Sequence, residues 1–171
     1  MKKTLTGLMI LLCVSISAQQ KIGHVNSQEL LDTLSSYKEA GIKLEQKGTD
    51  MIEEYKVLEK AFQAAYERLS KEAPDMPKLM LEQEQQKLMV KQEELQNFEP
   101  EMTRKLQMYQ QQYMEPILKR VQDAIALVAN KKKLNYIFDE SVSLFSAGGI
   151  DCTEEVMIEL IKMDEEAMKN K

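Results

Sequence analysis

The sequence has few of the residues that fill large globular cores. It contains no tryptophan, six tyrosines and four phenylalanines among 171 residues. So few aromatic side chains cannot fill a large core, and this composition is typical of long helices that bury a narrow seam. No apolar run approaches the roughly 20 residues that a membrane-spanning helix needs.

Histidine and cysteine, which build many catalytic and metal sites, are equally scarce. His24 is the one histidine, and its place in a β-like run favours a half-buried structural role over ligation. Cys152 has no CxxC partner, although its position at a helix start is expected to lower the pKa of its thiol. Gly148 and Gly149 indicate a turn rather than a phosphate-binding loop. We therefore predict no enzymatic activity, no cofactor and no metal site.

The N-terminal residues have the order of a secretory signal. Lys2 and Lys3 precede the apolar run "LMILLCVSI", and "SISA" supplies small residues before Gln19. This pattern predicts a signal peptide over residues 1–18, cleaved near Ala18, and an exported, periplasmic protein. An uncleaved anchor is the weaker alternative. So is lipidation of Cys13, because two leucines precede it where a lipid-attachment box has small residues.

The charge balance of the remaining chain is acidic. Residues 1–18 contain two lysines and no acidic residue, so the rest carries 21 basic and 28 acidic side chains and a net charge of −7. A negative surface argues against nucleic acid as a partner. With Cys152 as its one cysteine, the exported chain forms no intrachain disulfide.

A long heptad tract follows the first β-like run. Its apolar positions alternate spacings of four and three without a slip, and the same register extends backwards toward residue 30. This periodicity predicts a coiled-coil helix, with a single amphipathic helix on a globular core as the alternative. The seam positions are Leu30, Leu34, Tyr37, Gly41, Leu44, Gly48, Met51, Tyr55, Leu58, Phe62, Ala65 and Leu69.

Two prolines separate this tract from a second one. Pro74 and Pro77 end the first helix because proline lacks an N–H and disfavours helical geometry in the residue before it. A second tract runs from about Lys78 to Asn130, with apolar residues repeating at seven. Two such tracts predict an antiparallel hairpin arm over residues 38–116 with its tip near 72–78.

Three positions are hinge candidates in this arm. Pro100 and Pro116 fall inside the returning helix, where proline removes a hydrogen bond and kinks the axis. Gly48 lies near the height of Pro100 on the opposite helix, and around Pro116 the apolar spacing shifts. Neutral prolines on a tolerant helix are the alternative.

The two ends of the chain are predicted to form a small base, the hub, from residues 21–37 and 117–171. Strands are expected at 21–26, 134–139 and 142–146, with a tight hairpin connection at 139–141. Asn26 or Ser27 is expected to cap the first helix, and Asp151 to begin the last. The lysines at 131–133 suit a helix C-terminus better than an anionic-lipid patch.

The predicted fold class is therefore α+β and mostly helical, a long antiparallel coiled-coil hairpin projecting from a small β-sheet hub. Three short strands with open edges are marginal alone and recruit further strands. We expect the hub to associate with other copies of the chain, without a copy number from this argument. The candidate contact residues are Ile22, Val25, Tyr136, Phe138, Val142, Leu144 and Phe145.

Two segments resemble a known family. "KIGHVNSQELL" is similar to the opening strand and first helical turn of the Skp/OmpH family of periplasmic chaperones. "NYIFDESVSLFSAGGIDCTEEVMIEL" resembles its closing segment, in which Asp151, Cys152 and Thr153 take the place of an Asp-x-Thr helix start. The resemblance covers the exported chain in order, although its middle is generic coiled coil.

This resemblance implies a jellyfish-shaped homotrimer whose helical hairpins enclose a cavity. Such proteins hold unfolded outer-membrane proteins without ATP. Well-known members are basic, whereas this chain is acidic and has no basic cluster over residues 59–105, so a lipopolysaccharide site is not expected. A transient contact with the membrane surface is a further expected interaction.

Flexible methionine side chains suit a chaperone that grips many different sequences weakly. Met80, Met89, Met108 and Met114 lie off the predicted seam and are the client-contact candidates, with ordinary helix-forming filler as the alternative. The competing function is an exported coiled-coil adaptor of the cell envelope, which would recognise one folded partner.

Overall fold

The computed structural model describes residues 21–143 and 148–169. As predicted, the fold is mostly helical with one small sheet of three strands. In chain order the elements are β1 (Ile22–Val25), α1 (Ser27–Thr33), α2 (Ser35–Glu72), a 3₁₀ turn (Ala73–Asp75), α3 (Lys78–Lys132), β2 (Tyr136–Asp139), a second 3₁₀ turn (Glu140–Val142), β3 (Ile150–Asp151) and α4 (Thr153–Lys169).

The described chain divides into two compact units. The sheet unit consists of residues 21–36, 117–143 and 148–169. The hairpin unit consists of residues 37–116.

In the sheet unit, β1 is the central strand and both of its neighbours run parallel to it. The strand order is β2-β1-β3, with Ile22 opposite Tyr136 and His24 opposite both Phe138 and Asp151. Both strands that pair with β1 therefore come from residues more than a hundred positions later in the chain. Parallel strands require a crossover rather than a tight turn, so β2 and β3 cannot be joined as a hairpin.

This topology corrects the prediction of a hairpin and of a strand at 142–146. The chain forms a 3₁₀ turn directly after β2, because the Asp139 carboxylate accepts a hydrogen bond from the Ser141 N–H at 2.8 Å. Such local bonds from an aspartate compete with continued strand geometry. The third strand lies at Ile150–Asp151 instead, and residues 144–146 lie outside the described residues.

The core of the sheet unit is formed by one stripe from each of its helices. In α3 the buried residues recur at helical spacing, and α4 repeats the pattern. Residues three, four and seven apart lie on one helical face. The buried apolar set is Val25, Leu30, Leu34, Ile117, Val121, Ala124, Val128, Cys152, Val156 and Leu160.

Local capping fixes the ends of these helices. The Asn26 side chain accepts a hydrogen bond from the Glu29 N–H at 3.1 Å, which confirms the predicted cap of α1. Asp151 belongs to β3 rather than to the last helix, but its Oδ1 accepts from the Thr153 N–H at 2.9 Å. Lys131 and Lys132 end α3 and pair with Glu159 and Glu155 of α4.

The heptad register predicted from residue 30 onward does not belong to one continuous helix. Leu34 has extended backbone angles and separates α1 from α2. Leu30 and Leu34 are instead fully buried in the core of the sheet unit. The apolar spacing continues through the break because both segments bury a face there, so periodicity alone did not reveal it.

In the hairpin unit, α2 and α3 lie antiparallel. Contacts pair Lys47 with Tyr109, Tyr55 with Phe98 and Arg68 with Glu84, so the partner number falls as the position in α2 rises. The connection is the 3₁₀ turn at Ala73–Asp75. As predicted, α2 ends just before Pro74 and α3 begins just after Pro77.

The hinge candidates lie within regular helix. Pro100 and Pro116 are both inside the continuous helix α3, and Gly48 is inside α2. A methyl group added at Gly48 would meet no other atom within 4 Å. Hinge motion at these positions stays a prediction. Over residues 21–143 and 148–169, the structure contains no helix of the length and apolarity needed to cross a membrane.

Candidate functional site

One face of the sheet carries a cluster of large apolar side chains that is uncovered within the described chain. Ile22, Tyr136 and Phe138 share this face by strand register, and they are 40%, 51% and 49% exposed. The two aromatic rings stack with centroids 6.0 Å apart. We call these three residues the open sheet face. Large apolar side chains that cluster in solvent mark an interaction surface.

The other predicted hub residues lie elsewhere. Val25 points to the opposite face of β1 and is buried in the core, so it offers no surface to a second copy. Val142 is strongly exposed in the second 3₁₀ turn. Leu144 and Phe145 lie outside the described residues.

Gly23 explains how the covered face packs so closely. A Cβ at this position would lie 2.8 Å from Cδ1 of Leu134, 3.1 Å from the Ile150 carbonyl oxygen and 3.2 Å from the Cys152 sulfur. Glycine is therefore required where β1 approaches its neighbours.

Ionised carboxylates brace the carboxyl ends of the strands. The pKa of Asp139 is lowered by a hydrogen bond from the Ser27 hydroxyl and by the Ser141 N–H. The pKa of Asp151 is lowered mainly by the Thr153 N–H. Hydrogen bonds donated to a carboxylate favour its charged form. These residues therefore tie β2 to α1 and β3 to α4.

Cys152 corrects a prediction about reactivity. Its pKa is raised rather than lowered, because burial disfavours the thiolate more than the nearby Lys132 favours it. The side chain is completely buried, and its thiol donates to the Ile150 carbonyl at 3.4 Å. Cys152 therefore acts as a small core residue.

A buried polar cluster holds the start of α2. The Asp164 carboxylate accepts from the Ser36 N–H at 3.2 Å and from the Ser36 hydroxyl. Arg120 donates to Asp164 and to the Ser36 hydroxyl at 3.0 and 2.9 Å. An acceptor at a helix N-terminus satisfies backbone N–H groups that have no partner within the helix. Sequence reasoning missed this cluster, since its members come from three separate helices.

In the hairpin unit, three of the four client-contact candidates are exposed. Met80, Met89 and Met108 are each more than half exposed, and Met114 is half-buried. They do not form one cluster with a shared contact. Several other apolar side chains of this unit are exposed with them. Tyr55 is among them although it was predicted as a seam position, and the others, which sequence reasoning did not single out, are Ile42, Ile52, Val57, Tyr66, Leu79 and Val90.

Two grooves between α2 and α3 meet at Phe98. The first, of 280 Å³, is lined by Ile52, Tyr55, Leu95, Phe98, Glu99 and Met102. Within it the rings of Tyr55 and Phe98 lie 5.5 Å apart in a tilted arrangement. The second, of 460 Å³, has an acidic lining that includes Glu54, Glu93, Glu94 and Glu101, with Lys105 as its one basic residue. The hairpin thus offers apolar contacts bordered by negative charge.

Comparison with known proteins identifies the architecture. The family described as "Outer membrane protein (OmpH-like)" matches residues 21–160. The chain belongs to this OmpH-like family. The match includes all three strands, the whole hairpin unit and the first half of α4.

Two relatives of this OmpH-like chain extend the comparison. A protein named chaperone protein Skp, from Pectobacterium atrosepticum, is 26% identical over 155 residues, which are 88% of this chain and 92% of that protein. The crystal structure of an OmpH-like outer membrane chaperone from Caulobacter crescentus CB15 superposes with a TM-score of 0.70 at 15% identity. It covers 85% of this chain and 86% of the other. That structural similarity supports the fold.

Proposed function

We propose that this protein is an ATP-independent periplasmic holdase that binds unfolded outer-membrane proteins. The observation that carries the proposal is the large amount of exposed apolar side chain on the hairpin unit, including Met80, Met89 and Met108. Two packed helices cover only a narrow stripe of each other, so the hairpin cannot bury these exposed apolar side chains by itself. Flexible methionines spread along a helix suit weak contacts with many unfolded sequences. The relative named as an Skp chaperone supports this function.

The open sheet face supports assembly into a homotrimer, the copy number that the family resemblance implies. Ile22, Tyr136 and Phe138 are too apolar and too clustered for a surface that stays in water. Within the described residues β2 and β3 are also the edge strands of the sheet, and edge strands can pair with another chain. In such a trimer the hairpins would surround a shared cavity that holds the client.

The acidity of the chain affects how clients are attracted. The acidic groove beside Phe98 would repel acidic segments and favour basic or neutral ones. We therefore propose that holding depends on apolar contact and enclosure more than on long-range attraction. Client binding should then weaken little when salt is raised to several hundred millimolar.

The test combines native mass spectrometry with light scattering. The purified protein is mixed with an outer-membrane barrel diluted from urea, and the mass and the turbidity are recorded. A trimer carrying one unfolded barrel, together with suppressed aggregation, would support the holdase. A trimer that leaves the barrel to aggregate would instead support an adaptor that recognises one folded partner.

The role of the methionines is tested by the double variant Met80→Glu and Met108→Glu. Charges at these exposed positions should weaken client affinity several-fold, because a carboxylate loses its hydration on apolar contact. The matched control is Gln86→Glu and Gln111→Glu, which adds the same charge at exposed polar positions of α3. Equal affinities of the two variants would contradict a specific role for methionine.

A further inference from the structure

Three side chains with metal-ligating atoms converge at the carboxyl end of the sheet. His24 belongs to β1, Glu140 follows β2 directly, and Asp151 belongs to β3. Their ligand atoms all lie within 4.8 Å of one another. Because the three strands are parallel, their carboxyl ends meet at one edge, which brings together residues far apart in the chain.

The imidazole of His24 is held in a defined position. Gly149 has a φ of 123°, and a Cβ there would lie 3.2 Å from Cδ2 of the His24 ring. The backbone at Gly149 therefore lies against the imidazole ring of His24, and a residue with a side chain at position 149 would be strained. Nδ1 of His24 is buried and lies 2.8 Å from a Glu140 carboxylate oxygen, yet it makes no aligned hydrogen bond within the described residues.

The two carboxylates have capacity for a further ligand. Oδ1 of Asp151 accepts from the Thr153 N–H, but an ionised carboxylate offers about four lone-pair sites. Glu140 is exposed, so its side chain can adjust. The nearby cation Lys132 pairs with Glu155 of α4. Two carboxylates beside one imidazole leave a negative site that a cation would neutralise.

We propose that His24, Glu140 and Asp151 form a site for a divalent transition-metal ion of the Zn²⁺ class. An imidazole with two carboxylates suits such an ion, and water would complete the coordination. Donor atoms bound to zinc at about 2.1 Å in tetrahedral geometry lie about 3.4 Å apart. The ligand atoms lie within 4.8 Å of one another, and rotation of their side chains would bring them to this spacing. The bound ion would join β1, β3 and the turn after β2.

The test uses the full-length protein purified without a polyhistidine tag. His24 is the one histidine in the chain, so its two ring C–H signals in the NMR spectrum report directly on ligation. Addition of Zn²⁺ should shift these signals, saturate at one ion per chain in calorimetry and raise the melting temperature. Asp151→Asn and Glu140→Gln should each weaken binding at least about tenfold, since even second-shell partners of a metal are worth 10- to 100-fold.

Two control variants separate this site from other modes of binding. Glu154→Gln removes the same charge nearby but outside the cluster, and should leave the affinity unchanged. Cys152→Ser should also leave it unchanged, because the buried thiol is not a ligand. Circular dichroism confirms that each variant is folded.

The proposal is overturned if the His24 signals do not move at 1:1 Zn²⁺ or if both carboxylate variants bind as tightly as the original protein. In that case the cluster is an ion pair that stabilises the sheet edge. The site does not depend on the proposed holdase function. Because His24 and Asp151 lie on the same side of the sheet as Ile22, Tyr136 and Phe138 by register, native mass is recorded in the same titration to separate metal binding from association.

Discussion

The two units of this chain use apolar residues in opposite ways. In the sheet unit, Leu30, Val156 and Leu160 are completely inaccessible to solvent, because a sheet and several helices cover them from all sides. In the hairpin unit, Met51 and Leu69 are among the few buried apolar residues, and most seam positions remain half-exposed. Two helices can cover each other along one stripe only. A closed core therefore specifies the sheet unit, whereas the hairpin unit depends on many small contacts.

The comparison also applies to charged groups. Asp164 of the sheet unit is buried with Arg120 and Ser36, whereas Lys47 and Asp50 of the hairpin unit form a loose, exposed pair at 4.0 Å. Burial makes the first interaction sensitive to the loss of one partner. The exposed pair is screened by water and contributes little.

The largest expected effect is therefore that of Asp164→Ala. The variant leaves the Arg120 guanidinium uncompensated and the Ser36 N–H without its acceptor, which should cost about 3–5 kcal/mol of unfolding free energy. The matched variant Asp50→Ala should cost less than about 0.5 kcal/mol. Urea unfolding at one fixed protein concentration measures both. Similar losses in the two variants would contradict the difference between the units.

A smaller difference is expected between two leucines. Leu160→Ala should lose about 3 kcal/mol, because it leaves a cavity in a closed core. Leu88→Ala, at a half-exposed position of α3, should lose about 1 kcal/mol because less surface returns to water. The same unfolding curves provide the comparison. A larger loss at Leu88 would mean that the hairpin has a tight core after all.

Two glycine substitutions should act with opposite signs. Gly23→Ala should destabilise the sheet unit by about 2 kcal/mol, because the new methyl would lie 3.1 Å from the Ile150 backbone carbonyl oxygen and 3.2 Å from the sulfur of the buried Cys152. Gly48→Ala should stabilise the protein by about 0.5–1 kcal/mol, since the position is helical and open. Thermal unfolding monitored by circular dichroism gives the sign of each change. Stabilisation by Gly23→Ala would show that β1 has room to move.

The smallest effect depends on pH. The pKa of Asp139 is lowered in the folded state, chiefly by the Ser27 hydroxyl, so its contribution to stability is present above the unfolded pKa and is lost as pH falls through the folded value. Ser27→Ala should raise the pKa of Asp139 toward normal and cost about 1 kcal/mol at pH 7. Below about pH 4 the gap between the two proteins should close. Ser70→Ala, exposed in α2, is the control and should show no such pH dependence.

Helices and their ends were the most predictable features of the sequence. The heptads, the cap at Asn26 and the breaks at Pro74 and Pro77 depend on neighbouring residues, so local pattern was sufficient. The break at Leu34 was missed because leucine spacing continues through it. The third strand was misplaced because "SVSLFS" has strand-forming residues, whereas the side chain of Asp139 turns the chain before them.

The polar clusters were beyond prediction from pattern. Ser36 and Arg120 are separated by 84 residues and Arg120 and Asp164 by 44, so no local spacing marks them. The same holds for His24, Glu140 and Asp151, which only the parallel topology brings together. His24 was interpreted as a structural residue because it lies in a β-like run.

The position of β1 at the centre of the sheet has a consequence for folding kinetics. This strand is synthesised first, yet both strands that flank it are synthesised after residue 135. Its hydrogen bonds must wait for a loop of more than a hundred residues to close, and contacts of such long sequence separation form slowly. The helices of the hairpin, which depend on local contacts, can form in the meantime. A chain that stops before β2 is made would consequently lack both strands that pair with β1.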